Sequence, residues 1–177
     1  SCRRMKLLAL DDDTLFLKEL GVSLRAEGFE FHDVNTPAEA MRRLENETFD
    51  AVLLDMHMPE ISGLQMLKLV RGRWSETPVV MLTGDSNPES IVSAVQMGAS
   101  DYVVKGSEEF LFALMTRLAR IRKYRQLKSD HEVVKQKLAE ADRRYEILGI
   151  SSAVLKQRLE IARFKGTNVY VLIEGEN

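Results

Sequence analysis

The chain has 177 residues, 45% of them hydrophobic and 29% charged, a formal net charge of −2 and one cysteine. That length allows one good core with chain left over, and a lone Cys2 excludes an intramolecular disulfide or a cysteine zinc site. The longest apolar runs fall far short of the ~20 residues of a membrane span, and the basic opening leads into a short strand-like run rather than a signal-peptide apolar region; the expectation is a cytoplasmic globular protein.

Residues 1–106 carry 11 basic and 17 acidic side chains, and residues 107–177 carry 14 and 10. The first part repels nucleic acid, and the second has no compact basic motif to bind it. His32, His57 and His131 show no metal-ligand spacing.

In chain order, the first element is a strand at Lys6–Leu10, followed by three aspartates and a helix at Leu15–Glu27 that Gly28 ends. A strand at Phe29–Val34 follows. Thr36-Pro37-Ala38-Glu39 then combines an N-cap, proline at the first helical position and a capping-box glutamate. The strands at Ala51–Asp55 and Val79–Leu82 are nearly continuous apolar runs, as expected of central strands covered on both faces. Asn87-Pro88-Glu89 opens a helix running to about Met97, closed by Gly98, and a fifth strand spans Tyr102–Lys105. Short apolar runs alternating with amphipathic stretches predict an α/β protein built as a doubly wound parallel sheet. Its ligand then sits outside the carboxyl ends of the strands.

From Ser107 to Leu148 there is neither proline nor glycine, which predicts one long helix. Leu111, Leu114, Leu118 and Ile121 form a seam for packing on the sheet. A second seam, Leu127, His131, Val134, Leu138, Ala141, Tyr145 and Leu148, is out of phase with it around Tyr124. That pattern predicts a dimeric coiled coil, the alternative being a helix folded back on its own domain.

Asp11, Asp12 and Asp13 follow the first strand and Asp55 ends the third, so four carboxylates are expected at one sheet edge. Like charges that close push pKa values up unless a cation joins them. Mg²⁺, small, hard and oxygen-seeking, is the natural one. Thr83, directly after the fourth strand, and Lys105, at the end of the fifth, add a hydroxyl donor and a point charge suited to phosphoryl oxygens.

Leu8-Ala9-Leu10-Asp11-Asp12-Asp13, the run from Asp50 to Pro59 with Gly63, Leu82-Thr83-Gly84, and the run from Ala99 to Lys105 together resemble the response-regulator receiver family, over about residues 5–123. The resemblance implies a flavodoxin-like sheet of order 2-1-3-4-5 and a phosphoacceptor at Asp55. It also implies Mg²⁺ held by Asp12, Asp55 and the His57 backbone carbonyl, with Asp11 acting through water. Thr83 and Lys105 would hold the phosphoryl group, and Tyr102 would be a switch aromatic moving with Thr83. A sensor histidine kinase is the implied partner, with a homodimer through the face from the fourth to the fifth helix and the coiled coil. The family usually has proline after the lysine, where this chain has Gly106. A cis bond there would cost about 2.5–4 kcal/mol without proline.

Leu148-Gly149-Ile150-Ser151, Ile161-Ala162-Arg163, Thr167 and Val171-Leu172-Ile173-Glu174-Gly175-Glu176 resemble the opening of the AAA+ ATPase domain of sigma-54-dependent activators of the nitrogen-regulatory-protein-C type. The organisation implied is a receiver domain at 1–123, a linker helix at 124–148 and an ATPase fragment at 149–177. Only three residues remain from Gly175, too few for a P-loop, so no ATP hydrolysis is expected of the chain itself; the longer activator would bind DNA and sigma-54 RNA polymerase. An alternative reading takes Asp11-Asp12-Asp13-Thr14 as the motif of a haloacid-dehalogenase-type phosphatase with Asp11 as nucleophile.

Overall fold

A computed structural model describes residues 3–84, 87–147 and 156. In order these form β1 (Lys6–Leu10), α1 (Thr14–Ala26), β2 (Glu30–Val34), α2 (Pro37–Asn46), β3 (Ala51–Asp55), α3 (Gly63–Arg73), β4 (Val79–Thr83), α4 (Pro88–Gln96), β5 (Asp101–Val104) and α5 (Phe110–Ile147). All strand pairs are parallel, in the order β2-β1-β3-β4-β5. This is the doubly wound α/β sheet expected.

Successive side chains on a strand face opposite ways, and here both faces are covered by helices. On one side Leu7, Ala9, Leu53, Val80, Leu82 and Val103 pack with Leu17, Leu20 and Leu24 of α1 and Leu114 and Leu118 of α5. On the other, Leu8, Leu10, Val52, Leu54 and Met81 pack with Ala40 and Leu44 of α2, Met66, Leu67 and Val70 of α3 and Ala94 of α4. Every residue of β3 and β4 is buried, which is why those strands read as unbroken apolar runs. Each fully buried leucine contributes roughly 1.5–3 kcal/mol of transfer free energy.

Local chemistry sets the helix ends. Thr36 caps α2 by accepting from the Glu39 N–H at 3.3 Å. Ser62 and Gln65 make a reciprocal capping box that starts α3. Gly28 and Gly98 take positive φ values of 84° and 95° after α1 and α4, a conformation that a Cβ disfavours.

α1 at Thr14–Ala26, β2 from Glu30 and β5 from Asp101 differ by one residue from expectation, and three further boundaries bear on the site and the long helix. Thr83 is the last residue of β4, not the one after it, and β5 ends at Val104, leaving Lys105 just beyond the strand. The pairing explains both: Thr83 pairs with Val104, and the Lys105 N–H continues the ladder by donating to the Thr83 carbonyl at 2.7 Å. The long helix starts at Phe110 rather than 107, after a turn in which the Phe110 N–H donates to the Ser107 carbonyl.

The chain divides into two compact units, residues 1–124 and 125–177. Along α5, Leu114 and Leu118 are buried and Ile121 partly so, whereas Leu127, His131, Val134 and Leu138 of the second seam are exposed. Leu148, the expected strand at 170–173 and the residues 149–177 assigned to an ATPase fragment lie outside the described residues, apart from position 156. Among the described residues no helix is long and apolar enough to cross a membrane.

Candidate functional site

The carboxyl ends of β1, β3, β4 and β5 bring together Asp11, Asp12, Asp55, Thr83 and Lys105. Asp55 is the last rung of β3, paired with Leu82 of β4, so its position is set by the ladder rather than by a loop. Asp11 directly follows β1, and its own N–H donates to the Val34 carbonyl of β2 at 3.3 Å. Asp11, Asp55 and Thr83 are buried, Asp55 to 4% exposure. Asp12 is exposed.

Lys105 links the site. Its Nζ donates to Asp11 Oδ2 at 2.5 Å and lies 2.7 Å from Asp55 Oδ1. One ammonium therefore faces two buried carboxylates, which leaves the nest net negative. Burial pushes the Asp55 carboxyl above its usual range; the Lys105 hydrogen bond opposes this, and the neighbouring charges of Asp11 and Asp12 add to it. Burial works to lower the Lys105 ammonium, but hydrogen bonds and charges from Asp11 and Asp55 outweigh it, and its pKa is raised.

One carboxylate oxygen from each of Asp11, Asp12 and Asp55 lies within 4.8 Å of the others. Three hard oxygen donors with excess negative charge form a donor set that suits a small divalent cation. The sequence expectation of four converging carboxylates is corrected by one: Asp13 caps α1, accepting from the Leu15 and Phe16 N–H groups at 3.1 and 3.0 Å. Asp11 Oδ1 accepts from the Asp13 N–H at 2.9 Å and Oδ2 from Lys105, so both oxygens of Asp11 are engaged.

His57 is exposed, two positions beyond Asp55. Tyr102 is half-buried on β5 and packs against the core cluster of the α2–α4 side; its carbonyl accepts from Arg117 Nε at 3.2 Å. Lys105 precedes Gly106 through a trans bond, since no described peptide is cis, and Gly106 takes φ 78°.

Two further residues shape the nest. A Cβ built on Gly63 would lie 2.2 Å from the Asp55 carbonyl oxygen and 2.7 Å from Met56 Cα, so only glycine lets α3 start this close to the end of β3. Lys105 Nζ also sits over the Phe16 ring, 4.6 Å from its centroid. Neither contact is visible in hydrophobic periodicity, although Gly63 falls within a recognised motif. A separate cleft of about 370 Å³, lined by Arg71, Ser100, Asp101, Arg117, Arg120 and Tyr124 among others, lies at the amino ends of β4 and β5 and shares no residue with the acidic nest.

Residues 7–115 match the family model of the response regulator receiver domain. The chain belongs to the response regulator receiver family. Among similar proteins, a putative response regulator NtrX-like of Rickettsia conorii is 28% identical over 176 residues, covering 98% of this chain and 36% of the relative. The regulatory protein AtoC of Escherichia coli K12 is 29% identical over 172 residues, covering 97% and 37%. The chain thus spans little more than a third of the length of these relatives. A CheY-like receiver domain protein of Methanospirillum hungatei has a TM-score of 0.62 at 27% identity, covering 69% of this chain and 99% of that one. The response regulator TrrA of Thermotoga maritima, solved in complex with Mg²⁺ and BeF, has a TM-score of 0.59 at 27% identity, covering 66% and 98%. The receiver fold and the assignment to two-component response regulators follow from these likenesses together with the sheet order.

Proposed function

We propose that this receiver accepts a phosphoryl group on Asp55 from the phosphohistidine of a sensor kinase. The observation that carries the proposal is the buried Asp55 carboxylate with Lys105 Nζ at 2.7 Å, beside the Asp11 and Asp12 oxygens. An Asp55 Oδ attacks phosphorus, the new O–P bond forms, the P–N bond to imidazole breaks, and the imidazole nitrogen leaves with the electron pair. Lys105 and Thr83 hold the transferred oxygens. Phosphoryl transfer asks the protein mainly for positioning and charge neutralisation.

Asp12, Asp55 and the His57 carbonyl would hold Mg²⁺, with Asp11 acting through water. When bound, the ion supplies the positive charge that the nest lacks for gathering a phosphoryl dianion. The structure of TrrA with Mg²⁺ and BeF supports this by analogy.

The output is a changed pairing of two receivers. Val92 and Val95 of α4 and Leu111 and Phe112 of α5 are exposed and would form one contact face, with Tyr102 and Thr83 coupling it to phosphorylation. Exposed Leu127, Val134 and Leu138 would supply a coiled-coil seam. The resemblance of the C-terminal motifs, together with the NtrX-like and AtoC relatives, supports a longer protein in which this pairing controls a sigma-54 activator ATPase.

Intact-mass measurement after incubation with acetyl phosphate and Mg²⁺ tests the core of this reading. The chain should gain one phosphoryl group, mapped to the peptide containing Asp55, and Asp55→Asn should gain none. Stoichiometric labelling of Asp55→Asn would refute the assignment.

A further inference from the structure

The lysine of the nest stands at the start of a permissive backbone. Gly106, directly after it, takes a left-handed φ of 78°, a conformation that a Cβ disfavours, while the Lys105 N–H is held by the Thr83 carbonyl at 2.7 Å. Its ammonium is only partly shielded, with 19% of the side chain exposed. Asp11 and Asp55 hold its charged end, and a lateral contact would keep the four-carbon stem aimed when those carboxylates are re-engaged.

Phe16 is placed to do so. Its backbone is anchored in the first turn of α1, where its N–H donates to Asp13 Oδ1 at 3.0 Å. Its ring is packed against the core beside Phe110, centroid to centroid 5.7 Å at an interplanar angle of 56°. Phe110 is the first residue of α5, so this aromatic pair ties the far end of the segment that carries Lys105 and Gly106 to α1. The Lys105 ammonium lies over the Phe16 ring at 4.6 Å from the centroid, within the ~6 Å over which a ring face attracts a cation.

The ring differs from the other partners of the lysine in kind. Asp11 and Asp55 are anions that a divalent cation or a phosphoryl group also engages, so both contacts change during the reaction. A ring face is uncharged, does not ligate a hard cation and does not exchange protons. Among the described contacts of this ammonium, it is the one for which neither a divalent cation nor a phosphoryl group competes.

We infer that Phe16 is a positioning residue for phosphoryl transfer: its ring face, backed by Phe110, holds the Lys105 ammonium toward the phosphoryl oxygens on Asp55. The inference rests on Asp55 being the acceptor. Phe16 touches no reacting atom and acts through Lys105 alone.

The test uses the full chain as wild type, Phe16→Leu and Phe16→Tyr, with acetyl phosphate and saturating Mg²⁺. Phe16→Leu keeps an apolar side chain but removes the ring face; it should slow labelling of Asp55 by about 3- to 30-fold, the range for a partly desolvated cation–ring contact. Phe16→Tyr restores a ring and should return the rate to near wild type, which filling of space alone does not predict. A second measurement needs no phosphorylation: the Lys105 ε-methylene protons should be shifted upfield by the ring in wild type and Phe16→Tyr, and not in Phe16→Leu. Equal rates for wild type and Phe16→Leu, a Phe16→Tyr variant as slow as Phe16→Leu, or no ring-induced shift would each overturn the inference. A wild-type chain that is not labelled on Asp55 removes the acceptor assignment itself and this role with it, whereas labelled wild type with unaffected variants removes only the role of Phe16.

Discussion

Replacing Asp55 by asparagine removes one negative charge from a nest that already has more anions than its lysine can balance. At an effective dielectric of ~20, opposite charges 2.7 Å apart attract by about 6 kcal/mol, and like charges 4.8 Å apart repel by about 3.5 kcal/mol. The first figure describes Lys105 with Asp55, and the second is the least repulsion Asp11 can exert. Asp12 adds a solvent-screened share, and taking the carboxylate out of water costs several kcal/mol more. For ionised Asp55 the balance is a net cost of about 1–2 kcal/mol. Asparagine escapes that cost without orphaning the ammonium, because Lys105 keeps its bond to Asp11. Asp55→Asn should therefore be more stable than wild type by about 1–2 kcal/mol at pH 7 without metal, raising the thermal midpoint by roughly 3–8 °C.

The pH dependence has a definite sign. Burial raises the folded-state pKa of Asp55 above its unfolded value of about 3.9. The advantage of asparagine is then complete above the raised folded value, shrinks as pH falls through it, and vanishes below the unfolded value. Urea denaturation of both proteins from pH 7 down to pH 3.5, with metal chelated, follows this directly. A ligand at 100 times its Kd stabilises a fold by ~2.7 kcal/mol, so Mg²⁺ should stabilise wild type more than Asp55→Asn and close the gap. An asparagine variant less stable than wild type at pH 7, or an advantage that grows on acidification, would refute this account of the nest.

Gly63→Ala should destabilise the fold by about 3 kcal/mol in urea, the upper range for overpacking, because the new methyl meets the Asp55 carbonyl and Met56 backbone rather than a flexible side chain; a loss below about 1 kcal/mol would show that α3 shifts freely. Lys105→Met should cut the acetyl phosphate labelling rate by about 100-fold, a typical loss on removing one electrostatic contact to a developing charge. The same variant should flatten the alkaline limb of stability: a raised lysine pKa stabilises fully below about 10.4 and loses that stability as pH rises through the folded value. Leu138→Asp, on the exposed second seam, should convert a dimer into a monomer in light scattering at micromolar concentration, and a wild-type chain that is itself monomeric there would remove the coiled coil.

The strands were legible because their physics is local. β3 and β4 are buried on both faces, and a run of Val, Leu, Met and Ala fills them up to the polar residue, Asp55 or Thr83, that ends each at the site. Helix ends at Thr36, Gly28 and Gly98 were equally plain, since capping and left-handed backbone belong to particular residue types. The aspartates, Thr83 and Lys105 could be placed at one edge because each follows or ends a strand. Asp13 was misread as part of the nest because an N-cap and a metal ligand have the same sequence appearance; the backbone direction into α1 decides between them. The Ser62–Gln65 capping box was present in the sequence but lies in the connection after Asp55, where no periodic apolar stripe draws attention to it. Phe16 over Lys105 joins residues far apart in the chain, and such a pairing leaves no trace in periodicity.

Asp55 is both a rung of a hydrogen-bonded ladder and the proposed reactive group. A strand advances about 3.3 Å per residue and turns successive side chains to opposite faces. Sliding β3 by a single position against Leu82 of β4 would bury this carboxylate among leucines, or present Met56 in its place. Insertions between the elements are thus tolerable where the pairing is kept, whereas one added residue within 51–55 would disable the chemistry while leaving composition and overall architecture almost unchanged.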